Sequence, residues 1–192
     1  MKTTMKSTIL LPIVAVLTLG VAAVSAQQPV KMTFSGTAAN SIMNLQQPNT
    51  NNDEDNFAGT GTLGSFTLRN VRAISNSPTS SSTCSGPNDL YFLESAGAGV
   101  FRFQDGSLLY VQLTQGSDCI DVVTDEAHCT LSFEITGGTD RFKNASGTLL
   151  FTETVVTVIS DALNNPVYFA ATGEFTGAVS GVRHAEDHDE GH

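Results

Sequence analysis

The 192-residue sequence predicts an all-β fold, a single antiparallel β-barrel of about eight strands. Three observations lead there. Glycine is abundant, with 17 residues, and Thr and Ser are frequent, while no long stretch repeats with a helical period. Short segments alternate apolar and polar residues, the period-2 signature of half-buried strands. Turn signals separate seven or eight such segments at spacings typical of a barrel or sandwich. A jelly roll or an immunoglobulin-like sandwich is the alternative; the latter lacks its usual Trp between cysteines. A barrel also leaves no unpaired edge strand.

Taken in order, Val30 to Ser35 alternates, with Val30, Met32 and Phe34 against Lys31, Thr33 and Ser35, and predicts the first strand. Asn40 to Asn56 is rich in Asn, Gln, Pro and acids and predicts a long loop. Asn51, Asp53 and Asp55 imitate the first ligand spacings of a calcium loop, but Asn56 stands where Gly is needed and no Glu closes the motif. From Phe57, the dense Gly59, Gly61 and Gly64 predict a kinked strand, and no helical pattern follows them to make a phosphate cradle. Phe66, Leu68 and Asn70 then share one face and Thr67, Arg69 and Val71 the other. Asn76 to Asn88 is a loop by composition, Leu90 to Glu94 a strand, and Gly97 to Gly99 a break. Phe101 to Gln104 and Ser107 to Thr114 face each other across Asp105-Gly106, a hairpin signal that puts Phe101 and Phe103 on one face and Arg102 and Gln104 on the other.

The most organised stretch runs from Cys129 to Thr157. Leu131, Phe133 and Ile135 alternate with polar residues up to Gly137-Gly138, and a second β-branched run resumes at Thr148. Between them a small-residue loop brackets one aromatic, Phe142, placed to plug one end of a sheet. Asp161 to Pro166 predicts the last turn and Val167 to Phe175 the last strand. Gly137-Gly138-Thr139-Asp140-Arg141-Phe142, with Ala145 and Gly147, resembles the GGTG-[KR]-[FY]-x-x-A-x-G hairpin of the allene oxide cyclase-like and dirigent-like β-barrels. Asp140 departs from that pattern, where Gly is usual, but Asp tolerates the left-handed region. The resemblance covers about a tenth of the chain and implies an eight-stranded barrel. It also implies an isomerase, cyclase or dirigent-type role, in which a barrel cavity shapes a small apolar substrate.

Residues 1–26 read as an export signal: Lys2 and Lys6, an apolar core from Ile9 to Val24, then Val24-Ser25-Ala26 as a cleavage site. Residues 27–181 form the barrel domain, and no further stretch is long and apolar enough to span a bilayer. The expected product is secreted or periplasmic. Removing the two signal lysines takes the net charge from −10 to −12, which disfavours nucleic acid and anionic membranes. Oligomeric state is left open by the sequence. Of Cys84, Cys119 and Cys129, two are expected to pair after export, and a Cys119–Cys129 bond across the polar segment Ile120 to His128 is preferred to any pairing of Cys84. Residues 182–192 read as a disordered acidic tail. His184, His188 and His192 recur in it at every fourth position, a weak arrangement for zinc, nickel or copper.

Few residues invite chemistry. Glu153 shares parity with Leu149, Phe151 and Val155, and Glu94 with Leu90 and Phe92, so either carboxyl is a candidate acid or base on an apolar face. Arg102 is a candidate partner. His128 is the sole His outside the tail and reads as a loop residue; with no GxSxG elbow, it makes no hydrolytic triad. Pairing it with Cys84 is conceivable only if that thiol is free. Asn144-Ala145-Ser146 fits a glycosylation sequon inside the hairpin loop. No cofactor is expected. Two function classes remain: a non-catalytic secreted barrel that binds a small apolar ligand or serves in the cell envelope, which is preferred, and the isomerase or cyclase that the resemblance implies. A cavity holding Glu153, Glu94 or Arg102 would support chemistry, and a core filled by Phe, Leu and Val would not.

Overall fold

A computed structural model describes residues 27–84 and 86–183. The chain forms β1 (Gln28–Asn40), β2 (Thr50–Gly61), β3 (Phe66–Ser75), β4 (Asp89–Phe103), β5 (Leu108–Asp121), β6 (Glu126–Gly138), β7 (Ser146–Ser160) and β8 (Pro166–Ser180), with one 3-10 turn at Asp140–Phe142. Each strand pairs antiparallel with the next, and β8 closes on β1, so the sheet is a barrel with no free edge. This settles barrel over sandwich.

Register turns alternation into an interior. Phe34 on β1 faces Gly173 on β8, Leu68 on β3 faces Phe101 on β4, and Phe151 on β7 faces Phe175 on β8, all directed inward. The rings stack on one another: Phe34 and Phe57 lie 4.6 Å apart by centroid, Phe101 and Phe175 5.0 Å, and Phe151 and Phe175 5.0 Å. Each such contact adds about 0.5–1.5 kcal/mol to what burial alone supplies.

One end of this interior is shut by the hairpin between β6 and β7. Phe142 is fully buried there, 4.8 Å from the ring of Phe103. Asp140 adopts φ +50° and Gly147 φ +142°, so Asp does hold the left-handed position at the turn. A Cβ on Gly138 would lie 2.1 Å from the carbonyl oxygen of Leu108, so only glycine allows that approach. Arg141 locks the plug from outside. Its Nη2 donates to the carbonyl of Leu63 at 2.7 Å, its Nε meets Asp105 at 2.8 Å, and its guanidinium lies over Phe142. The Asp105-Gly106 hairpin forms as expected, with Gly106 at φ +87° and the Phe103 amide bonded to the Ser107 carbonyl.

Three segments depart from the sequence reading. The loop expected over Asn40 to Asn56 shrinks to residues 41–49, because the acidic run after it is strand β2, paired on both sides. Gly97 to Gly99 does not break β4. A Cβ on Gly97 would come within 3.0 Å of the Val71 carbonyl oxygen and 3.3 Å of Leu113, and one on Gly99 within 3.1 Å of Leu68, so these glycines make room for apolar neighbours while the strand runs on. The loop expected from Ile120 to His128 is only a four-residue turn between β5 and β6. After β8, Val182 packs against the core, and the Arg183 amide bonds the Arg141 carbonyl. The export signal and the tail histidines His184, His188 and His192 lie outside the described residues.

The disulfide joins Cys84, in the loop between β3 and β4, to Cys119 on β5; it is not Cys119–Cys129. Strand parity gives the reason. Cys119 pairs in register with the exposed His128, whereas Cys129 pairs with the buried Asp118, so the two cysteines lie on opposite faces of the sheet. Cys129 is a free, buried thiol.

Candidate functional site

The other end of the interior is built from polar residues. On β2, inward positions alternate back from Phe57 to Asp55 and Asp53; on β3 they run Phe66, Leu68, Asn70, Arg72. On β7, Glu153 follows Phe151 at the same parity, and on β6 Cys129 precedes Leu131. Two further carboxyls arrive through bulges. Between Ala96 and Glu94 the β3–β4 register slips by one residue, and between Leu113 and Gln115 the β5–β6 register does the same. Without these slips, the inward parity of Gly97 and Gly99 would place Glu94 outside, and that of Val111 and Leu113 would place Asp118 outside. The bulges aim both into the barrel.

The result is one guanidinium among four fully buried carboxyls. Arg72 is 2% exposed, Asp55 0%, Glu94 2%, Asp118 4% and Glu153 3%. Arg72 Nε lies 2.9 Å from Asp55 Oδ2 and its Nη2 3.1 Å from Asp55 Oδ1, a two-pronged pairing. Its Nη1 donates to Glu94 Oε1 at 2.6 Å. Glu153 Oε2 lies 3.6 Å from Nη2, too long for a hydrogen bond. Asn70 Nδ2 donates to Asp55 Oδ2 at 3.0 Å, which makes Asp55 the best seat for a negative charge.

One positive charge cannot balance four buried carboxylates, so Glu153 and Glu94 are pushed toward their protonated forms. Burial pushes Glu153 up to about 8, with Arg72 opposing and the charges of Asp55 and Asp118 adding. Burial lifts Glu94 well above the carboxylate range; Arg72 pulls it back, while the charge of Asp118 and a hydrogen bond with it lift it again. Asp55 is raised by burial against the pull of Arg72, and Asp53, beside the cluster, is raised to about 6 for the same reasons. Arg72 itself is driven well above its ordinary value: burial works against its charge, and Asp55, Glu94 and Glu153 outweigh burial. Burial, then Asp118 and Glu153, push the Cys129 thiol up, so it is not a ready nucleophile.

Against this cluster lies a cavity of about 190 Å³. Arg72, Asp53, Asp118 and Cys129 line one side, and Ile74, Phe92, Ile120, Val155 and Phe169 supply an apolar wall. Glu94 and Glu153 stand behind Arg72. A larger groove of about 770 Å³ runs outside the barrel wall beneath the β1–β2 loop, but its charged side chains are only the paired Arg69 and Glu54. It holds no convergent chemistry.

Of the residues singled out by sequence, Glu153 and Glu94 meet at this site through Arg72. Arg102 does not: it is exposed on the outer face near the plugged end, in register with Thr67 and Leu108. His128 is on strand β6, not in a loop, and faces outward toward Thr154 and Glu126. Cys84 is consumed by the disulfide, which removes any Cys84–His128 pair. Asp53 and Asp55 serve the interior of the barrel, and among the described residues no group of three or more His, Cys, Asp or Glu is arranged to hold a metal ion. Arg72 and Asp118 carry no mark in the sequence reading, and Asp55 enters it only as part of a loop that imitates calcium ligands. Parity from Phe66 through Asn70 reaches Arg72, and parity back from Phe57 reaches Asp55; Asp118 carries no such signal, because a bulge separates it from Leu113.

No family model matches the chain, and no curated protein does.

Proposed function

We propose that this chain is an exported, non-catalytic barrel that takes one small, mainly apolar ligand into the open end of its interior. The observation that carries the reading is the cavity of about 190 Å³, with an apolar wall on one side and buried polar groups on the other. Cavities of about 150 Å³ hold a benzene ring, so this one suits a single ring with a short substituent. The Cys84–Cys119 disulfide supports export, since such bonds persist in oxidising compartments. Kinship with the allene oxide cyclase-like and dirigent-like barrels is part of the proposal, resting on the Gly137–Gly147 hairpin.

Native mass spectrometry of the chain, exported in its own host and purified gently, tests this reading. The expected result is a retained organic mass that is lost in Ala127→Phe, which fills the cavity from its lining. A bare polypeptide, together with no rise in unfolding temperature on adding single-ring apolar compounds, would overturn it.

A second reading, an isomerase or cyclase, is favoured by one observation: Glu153, raised to about 8, keeps a proton at neutral pH close behind the cavity. Its mark would be turnover of the retained ligand that falls at least about 100-fold in Glu153→Gln. Unchanged ligand after prolonged incubation would sink it.

A further inference from the structure

The polar side of the cavity is short of positive charge: Asn40, Asn51 and Ser75 supply neutral polar groups, and among the described residues Arg72 is its only cation. From every strand that contributes a charged or titratable group, the interior receives Asp53 and Asp55 (β2), Arg72 (β3), Glu94 (β4), Asp118 (β5), Cys129 (β6) and Glu153 (β7). The cavity residues from β1 and β8, Ala38, Asn40 and Phe169, are uncharged. Arg72 is already committed to Asp55 and Glu94. Among the described residues, no nitrogen or hydroxyl donates to Glu94 Oε2, Asp118 Oδ1 or either Glu153 oxygen, all buried; Glu94 hydrogen-bonds the Asp118 carboxyl, and Glu153 the Cys129 thiol. Asp118, only 4% exposed, lines the cavity, and its carboxyl hydrogen-bonds Glu94. Protons on Glu94 and Glu153 make up part of the shortfall. An anionic ligand would deepen it, and a neutral one would leave it unchanged.

We infer that the ligand of this cavity is a small organic cation, a protonated amine on a single-ring-sized apolar body, held by Asp53 and Asp118 and admitted with release of a proton. This deepens the pocket reading above and rests on it. The exchange balances: the ammonium brings one positive charge and its N–H donors, and a carboxyl of the cluster gives up its proton to solvent and becomes the carboxylate that pairs with it. The apolar wall of Phe92, Phe169, Ile74 and Val155 takes the ring.

Three probes of one shape and different charge test this: phenethylamine, 2-phenylethanol and phenylacetate, titrated calorimetrically into the mature chain at about pH 6.5 in two buffers of different ionisation enthalpy. The amine is expected to bind at least about tenfold tighter than the alcohol, with a buffer-dependent heat that reports proton release, and phenylacetate is expected not to bind. Asp118→Asn and, at the less buried position, Asp53→Asn should each narrow the ratio of amine to alcohol affinity while leaving alcohol binding in place. Equal binding of amine and alcohol, preference for phenylacetate, or amine binding with no proton released would overturn the inference and leave the pocket reading standing. Failure of all three probes to bind would overturn both.

Discussion

At the plugged end of the barrel, the rings of Phe142 and Phe103 lie 4.8 Å apart by centroid, and the guanidinium of Arg141, half-buried over Phe142, pairs with the partly exposed Asp105. At the open end the same inward positions carry Arg72, Asp55, Glu94 and Glu153, equally buried and unequal in charge. The alternation that builds the two ends is identical, so fold formation does not distinguish them. What differs is the sign of their contribution. Ring packing stabilises at any pH, whereas burying several carboxyls around one guanidinium costs desolvation free energy that Arg72 offsets only in part. A barrel of this size has no structural need for such a cluster, and its place beside the cavity marks it as the working end.

The sharpest way to separate the ends is to remove one anchor from each. Arg72→Met leaves buried carboxyls without their counter-charge and is expected to destabilise by about 3–5 kcal/mol at pH 8. At pH 5 the loss should shrink, because the carboxyls are then protonated. Phe142→Ala is expected to cost a similar amount, about 3–5 kcal/mol, at both pH values. Urea unfolding of both variants at the two pH values checks this; a pH-independent loss in Arg72→Met would erase the contrast.

The disulfide reinforces the open end, tying the β3–β4 loop to the outer face of β5. With its cysteines 35 positions apart in sequence, its loss in a Cys84→Ala, Cys119→Ala double variant should cost about 3–4 kcal/mol by loop-closure entropy. Hydrogen exchange should rise in β4 and β5 near Cys119 before it rises around Phe142. Uniform loosening would show that the two ends are not separate in stability.

Titration gives the next effect. Glu153 is raised from the ordinary 4.5 to about 8 in the folded chain, and Asp53 from 3.8 to about 6. A folded-state value above the unfolded one means the folded chain binds more protons, so stability is full below the unfolded value and is lost as pH rises through the folded one. Stability should therefore fall between about pH 4 and pH 8, the opposite of the usual behaviour of paired carboxylates. Glu153→Gln should flatten the upper part of that slope. Denaturant midpoints across this range decide it, and a rise toward pH 8 would contradict the cluster's charge count.

The barrel was legible in the sequence because alternation and turn chemistry are local: Phe101 and Phe103 around Asp105-Gly106, and Phe142 between Gly138 and Gly147, fall where the pattern puts them. The site was legible only where parity ran unbroken. Glu153 follows Phe151 with no interruption, and Glu94 keeps its parity with Phe92, so both were found. Asp118 was hidden by the slip after Leu113, which no residue type announces. The run Asn51 to Asn56 reads as a loop because acids are poor strand formers, and it is a strand because Arg72, Asn70 and Arg69 across the ladder give those acids partners. The cysteine pairing failed for the same reason as Asp118: short separation in sequence says nothing of which face a residue takes once the intervening segment is strand.

Arg102 supplies the smallest expected effect and a control for the comparison. Sequence parity placed it opposite Phe101 and Phe103, and it lies on the outer face near the plugged end, exposed to solvent. Arg102→Gln is expected to change stability by less than about 0.5 kcal/mol and to leave amine affinity unchanged. The argument turns on position rather than charge, since Arg72 and Arg102 are the same residue type on neighbouring strands. If unfolding midpoints and calorimetric affinity moved for Arg102→Gln as they do for Arg72→Met, net charge would govern both, and the assignment of the chemistry to the interior of the open end would fail.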